Sequence, residues 1–237
     1  MYLLQNIVTY KEYIKEFLNA KPLEISNTKL NIKRIKIKNL SFKYNEKYIL
    51  NNFNFCFEAG KKYALKGASG SGKSTLIKIL LKQIENYEGN IFVNDLNLKE
   101  INTQDLINSL TFLDNSENLF NDTVYNNITL WDMTSDENIK DILQKSDLLD
   151  IKPELLINEE NSLSTGQKQK INIARHFYRN KNILITDEAF SNIDIKSAEK
   201  ILQNINPDVM FINVSHNITN SDYYDQILEI KEGVLVE

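Results

Sequence analysis

The residues best suited to chemistry begin at Gly67. The run Gly67-Ala68-Ser69-Gly70-Ser71-Gly72-Lys73-Ser74, with Thr75 after it, fits the spacing Gly-x-x-x-x-Gly-Lys-Ser. Glycines at such positions let successive backbone N–H groups turn onto phosphate oxygens. A helix that follows adds its N-terminal amides to the same anion. Lys73 is then expected to reach the β- and γ-phosphates of a nucleotide, and the Ser74 hydroxyl to bind Mg²⁺. The chain has only 7 glycines in 237 residues, and three of them stand between 67 and 72. That concentration marks backbone that needs positive φ or close approach to a ligand.

A second group of candidates lies in the run ILIT-Asp187-Glu188. Ligands of open α/β sheets bind at the carboxyl ends of strands, where these two carboxylates fall. Asp187 is placed to hold the water shell of Mg²⁺, and Glu188 to orient or deprotonate an attacking water.

Both groups need a strand before them, and the phosphate loop also needs a helix behind it. KYALK (62–66) reads as a short strand and LIKILLKQI (76–84) as a helix. IFV (91–93), LTFL (110–113), NILIT (182–186), VMFINV (209–214) and QILEI (226–230) read as strands, the last three of the buried type. Helical stretches cover 136–149, with Asp136 and Glu137 in the first turn, and 165–178. Strands alternating with helices imply an α/β fold with a mainly parallel sheet. Ahead of it, Ile35 and Ile37, then Leu40, Phe42 and Tyr44, then Phe53, Phe55 and Phe57 alternate as half-buried antiparallel strands. Residues 2–18 read as an amphipathic helix, and 19–31, with Pro22, as a polar linker.

Composition narrows the function classes. One cysteine, Cys56, excludes an internal disulfide and a cysteine-based zinc site. No uninterrupted apolar stretch approaches the length of a membrane span, and the opening residues lack a basic stretch followed by an apolar one, so secretion is not expected. These points favour a reducing, cytosolic setting. A net charge of -4 argues against a nucleic-acid-binding role.

A third run, Leu163-Ser164-Thr165-Gly166-Gln167, precedes KQKINIARHFYRN. The order of phosphate loop, LSTGQ, ILITDE and a late VSH resembles the ATP-binding cassette (ABC) ATPases over about residues 33–237. The resemblance implies a phosphate-loop NTPase core with an antiparallel β subdomain and a helical subdomain at about 115–180. Residues 1–31 would be an N-terminal helix and linker, and 32–237 the ATP-binding domain. It implies ATP and Mg²⁺ as cofactors and a head-to-tail dimer, homodimeric or heterodimeric. The phosphate loop of one subunit and Ser164, Gly166 and Gln167 of the other would share each ATP. His216, in NVSHN, matches the family's switch histidine, and Tyr44 the aromatic that stacks on adenine, with Tyr48 as the fallback. Asp194 matches a residue of the loop that communicates across the dimer. His176, inside the helix after LSTGQ, is read as an ordinary helix residue.

Two positions depart from the family pattern. Thr165 stands where glycine is usual, which adds a β-branched side chain near the phosphate. Asn115 stands where a glutamine is usual, in contact with Mg²⁺ and the transmembrane partner; it keeps the amide and loses one methylene of reach. LFNDTVYNNITLW resembles exporter cassettes, so the expected partner is a transmembrane exporter domain, either a separate chain or a missing fused half. The expected location is the cytoplasmic face of the cell membrane. The competing reading is a non-transport member, a regulatory or structural ATP-binding subunit.

Overall fold

The structure is a computed structural model. It describes residues 29–116, 118–132, 138–158, 163–216, 218 and 221–236. The expected N-terminal helix over 2–18 and most of the linker lie outside the described residues, as do Asp136 and Glu137.

The chain opens with a long hairpin, β1 (Arg34–Tyr44) and β2 (Lys47–Glu58). The strand β3 (Lys62–Lys66) leads through the phosphate loop into α1 (Lys73–Leu80). Next come β4 (Glu88–Val93), β5 (Leu96–Asn97), α2 (Thr103–Ser109) and β6 (Leu110–Leu113). Three helices follow: α3 (Val124–Thr129), α4 (Ile139–Lys145) and α5 (Thr165–Arg179). The remainder is β7 (Ile183–Asp187), α6 (Ile195–Asn204), β8 (Met210–Val214), β9 (Gln226–Lys231) and β10 (Val234–Val236).

Two sheets result. One is antiparallel, in the order β2-β1-β4-β5; the other runs β10-β9-β3-β8-β7-β6 and is parallel except for β10. β8 is buried along its whole length, as a strand covered on both faces must be. Alternate residues divide the two faces. Ile183, Ile185, Met210 and Ile212 join the core shared with α1 and the antiparallel sheet, whereas Leu184 and Phe211 join Ile201 and Leu202 of α6. A third apolar cluster packs Val124 and Ile128 of α3 and Ile142 and Leu143 of α4 on Ile171, Ala174 and Tyr178 of α5.

The expected elements are present with shifted ends. α1 stops at Leu80, four residues short of the apolar run, because the chain reverses at Lys82 with φ 56. Leu81 and Ile84 still pack on the core from the turn. α5 runs to Arg179, where Asn180 adopts φ 45 and its N–H caps the His176 carbonyl. The β1 pattern changes phase: Ile37 and Leu40, three apart, are both buried. A β-bulge around Asn39, with φ 51, returns the apolar set to the core.

Candidate functional site

The phosphate loop is tightly constrained backbone. Gly72, with φ 107, caps α1, and a Cβ there would lie 2.6 Å from the Ile49 carbonyl oxygen. A Cβ on Gly67 would lie 2.4 Å from the Ile230 carbonyl oxygen. Only glycine fits at either place. The loop is thereby wedged between β2 and β9, and the first amides of α1 have no side-chain cap.

Lys73 is 5% exposed. Its Nζ donates to the carbonyl oxygens of Gly67 at 2.7 Å and Ala68 at 3.0 Å. Burial pushes its pKa down, and Asp187 and Glu188 oppose that shift by their charge. Ser69 and Gly70 are exposed at the tip, Ser71 is buried, and Thr75 is half-buried behind Ser74. The loop borders a cleft of ≈ 890 Å³ whose other walls are Lys47, Tyr48 and Ile49 on β2 and residues 229–233 at the end of β9 and in the turn after it.

Both acids arrive from the end of β7, two strands along the sheet from β3. Asp187 ends β7 and accepts from the Ser74 hydroxyl at 2.9 Å. Hydroxyl and carboxylate oxygens are the donors that Mg²⁺ takes, so this pair fits a magnesium ion bound beside a phosphate. Glu188 has φ 57, which turns the chain sharply out of β7. Its N–H donates to the Val214 carbonyl at 2.9 Å, and its Oε1 accepts from the His216 N–H at 2.7 Å. The His216 ring nitrogen Nε2 stands 4.0 Å from the same oxygen. A carboxylate and an imidazole thus converge at the carboxyl ends of β7 and β8, with Glu188 next in sequence to the Asp187 that meets Ser74.

The LSTGQ residues form a separate structure. Ser164 caps α5: its side chain accepts from the Gln167 N–H at 3.2 Å, and the Gln167 Oε1 accepts from the Ser164 N–H at 3.0 Å. A Cβ on Gly166 would lie 2.7 Å from the Asn192 carbonyl oxygen. The Asn192 N–H in turn donates to Gln169 Oε1 at 3.0 Å. The head of α5 is therefore fastened to the loop that leaves Glu188, and none of the hydrogen bonds of Ser164 and Gln167 among the described residues reaches the phosphate loop. Asp194 caps α6 by accepting from the Ser197 N–H at 3.0 Å. Thr165, the first residue of α5, is half-buried.

Three single residues complete the expected set. Asn115 is exposed at the bend after β6. The register Leu113↔Thr186 sets that bend beside the end of β7. Tyr44 is 51% exposed and lies edge-on to Phe42 at 4.8 Å. Tyr48, paired across the hairpin with Lys43, is the tyrosine that lines the cleft. His176 is buried against Thr111, 3.3 Å from its hydroxyl, and burial lowers its pKa to about 4. It belongs to the packing of α5 on β6.

Sequence reasoning missed three residues of this region. Gly233, in the β9–β10 turn, takes part because a Cβ there would lie 2.4 Å from the Ile49 carbonyl; as one of only 7 glycines it carried a signal. Gln169 bridges α5 to residues 191 and 192. Asp147, just after α4, accepts from Lys170 at 2.9 Å, Ser197 at 2.6 Å and Lys200 at 3.1 Å.

The chain is similar to known proteins in sequence and fold. Residues 50–191, more than half of the chain, match the family model described as ABC transporter. The chain is 36% identical over an alignment of 246 residues to the microcin-J25 export ATP-binding/permease protein McjD of Escherichia coli, covering 98% of this chain and 42% of that protein. It is 32% identical over 215 residues to an ATP-dependent lipid A-core flippase of Francisella tularensis, covering 86% and 35%. A solved bacterial Atm1-family ABC exporter with ATP bound superposes with a TM-score of 0.83 at 25% identity, covering 99% of this chain and 44% of that one. The chain thus spans roughly two fifths of the length of these relatives. Motif order, fold and family match agree, and the chain belongs to the ABC transporter family.

Proposed function

We infer that this chain binds and hydrolyses ATP and that the energy drives export through a membrane-spanning partner. One observation carries the reading. Ser74 and Asp187 stand 2.9 Å apart beside the buried Lys73, while Glu188 and His216 meet one step along the same sheet edge. Anion binding, cation binding and water activation are then adjacent, which phosphoryl transfer to water requires.

In this reading the backbone amides of Gly67–Ser74 receive the phosphates. Lys73 leaves the carbonyls of Gly67 and Ala68 to meet them, a short movement for a flexible stem. Ser74 and Asp187 hold Mg²⁺, with Asn115 supplying a further oxygen at the end of β6. That ion would neutralise charge on the β- and γ-phosphates. Glu188 orients and deprotonates the attacking water, and His216 supports the γ-phosphate. Adenine stacks at the exposed end of the β1–β2 hairpin, on Tyr44 by its family position, with Tyr48 lining the adjoining cleft.

Ser164, Gly166 and Gln167 act on the ATP held by a second copy or a related chain. The support is that α5 has a capped N-terminus with Ser164 exposed, and that among the described residues no hydrogen bond of Ser164 or Gln167 goes to its own phosphate loop. The cluster formed by α3, α4 and α5 is the helical subdomain. Among the described residues no helix is long and apolar enough to cross a membrane, so the exported substrate is set by the partner. The ATP-binding part works at the cytoplasmic face. The relatives are named for export of a microcin and flipping of lipid A core; neither substrate is carried over.

The test uses two defective variants. Ser164→Arg and Lys73→Ala damage different halves of a shared site. Each alone should lose hydrolysis, and mixing them leaves one site intact in every mixed dimer. Partial return of Mg²⁺-dependent ATPase activity on mixing is expected. No return, with specific activity constant on dilution, would contradict a shared site.

A further inference from the structure

The carboxyl ends of β7 and β8 also carry a polar chain that has no part in the roles above. Thr186 and Asn213 are partners in the β7–β8 register, and both are buried. By strand alternation they share the face of Leu184 and Phe211, which packs on α6. The Thr186 hydroxyl donates to Asn213 Oδ1 at 2.8 Å, and Asn213 Nδ2 donates to the Tyr224 hydroxyl at 2.6 Å. Tyr224 is itself oriented by lying on the Phe211 ring, with centroids 6.2 Å apart and planes 23° from parallel. An amide in such a layer is tolerated only when it is paired. Here it is paired at both ends, and one end belongs to the segment that carries His216.

Ser215, His216 and Tyr224 are each tied to one of three adjacent strand ends, those of β3, β7 and β8. The His216 N–H holds Glu188 Oε1 at 2.7 Å, and the Ser215 N–H holds the Leu65 carbonyl at 3.2 Å. Tyr224 is held by Asn213, one residue before Val214, whose carbonyl accepts the Glu188 N–H. We propose that Thr186, Asn213 and Tyr224 are positioning residues: their hydrogen-bonded chain ties Tyr224 to the ends of β7 and β8, and so keeps His216 and Glu188 at a fixed separation. The inference rests on the reading of Glu188 and His216 given above.

Tyr224→Phe keeps the ring and its stacking and removes one oxygen, leaving the Asn213 amide without its acceptor. The expected result is a fall in kcat of about 10- to 100-fold, the scale of a small misplacement of reacting groups, with KM for ATP changed less than about twofold on the same argument. A triple variant, Thr186→Val with Asn213→Val and Tyr224→Phe, leaves no unpaired polar atom, so its Tm should return towards that of wild type. Its kcat should stay low, because the tie is gone. Recovery of kcat together with Tm would reduce the network to stability and overturn the proposal, as would unchanged turnover in Tyr224→Phe. Amide hydrogen exchange at Ser215 and His216 in the 237-residue chain gives the second readout. Faster exchange there in both variants, with β3 unchanged, is expected; unchanged protection overturns the proposal whether or not the chain hydrolyses ATP. A wild-type chain that does not hydrolyse ATP would instead remove the functional reading and leave the exchange result to decide the network.

Discussion

Glu188→Gln separates chemistry from structure at one atom. Glu188 makes two contacts that glutamine preserves: its N–H donates to the Val214 carbonyl at 2.9 Å, and its Oε1 accepts from the His216 N–H at 2.7 Å. The positive φ of 57 is a property of the backbone that both residues meet alike. What changes is that a charged acceptor becomes neutral. A hydrogen bond to a charged group is worth about 1.5–3 kcal/mol and a neutral one about 0.5–1.5. The stability loss is therefore about 1 kcal/mol, or a Tm shift of about 2–4 °C for a chain of this size. The rate loss is larger. Removing a positioned general base lowers turnover by about 100- to 10,000-fold, equivalent to about 2.7–5.4 kcal/mol of transition-state stabilisation. The ATP contacts proposed for Lys73 and Ser74 are untouched, so the variant should bind nucleotide normally and accumulate as an ATP-bound dimer. Single-turnover hydrolysis, nucleotide binding by fluorescence and size-exclusion chromatography with ATP and Mg²⁺ measure the three quantities. Turnover within a factor of about three of wild type, below any effect of losing a general base, would refute Glu188 as the water-activating group.

Asn115→Ala removes the amide at the end of β6 and should weaken Mg²⁺-dependent turnover and its stimulation by a membrane partner. Asn115→Gln should leave nucleotide binding as it is and change only the stimulation, as read from ATPase activity across a Mg²⁺ titration. Asp147→Asn tests the joint between α4, α5 and α6. Hydrogen bonds from Lys170, then Ser197, hold the Asp147 carboxyl well below the usual carboxylate range. A depressed folded-state pKa stabilises fully above the unfolded value of about 3.9 and loses that effect as pH falls towards the folded value. Urea unfolding should thus show the variant about 1–3 kcal/mol less stable at pH 7, with the gap to wild type closing below about pH 4. A gap that stays constant with pH would assign the loss to packing.

The phosphate loop, the LSTGQ run and the acids after ILIT were legible because each is a short contiguous signal whose meaning depends on its immediate flanks. A strand before Gly67 and a helix after Lys73 follow from apolar spacing within a few residues, and the structure has both. Alternation likewise predicts β1 and β2, yet the return of Leu40 to the face of Ile37 depends on the bulge around Asn39, which period-2 counting passes over. Tertiary structure alone decided which partners meet across long separations. The Ser74–Asp187 bond spans 113 residues and the His216–Glu188 bond 28, and both exist because the parallel register sets β3, β8 and β7 side by side. The same holds for Gly166. Its place in the motif was readable, but the reason for glycine, the Asn192 carbonyl 2.7 Å from where a Cβ would sit, comes from packing α5 against the loop after β7. Asp147, Asn213 and Tyr224 carried no local signal at all. An Asp after a short helix or an Asn in an apolar strand has no meaning until the chain brings Lys170 or a tyrosine hydroxyl within reach, because a hydrogen bond acts over about 3 Å and sequence periodicity carries no such distance.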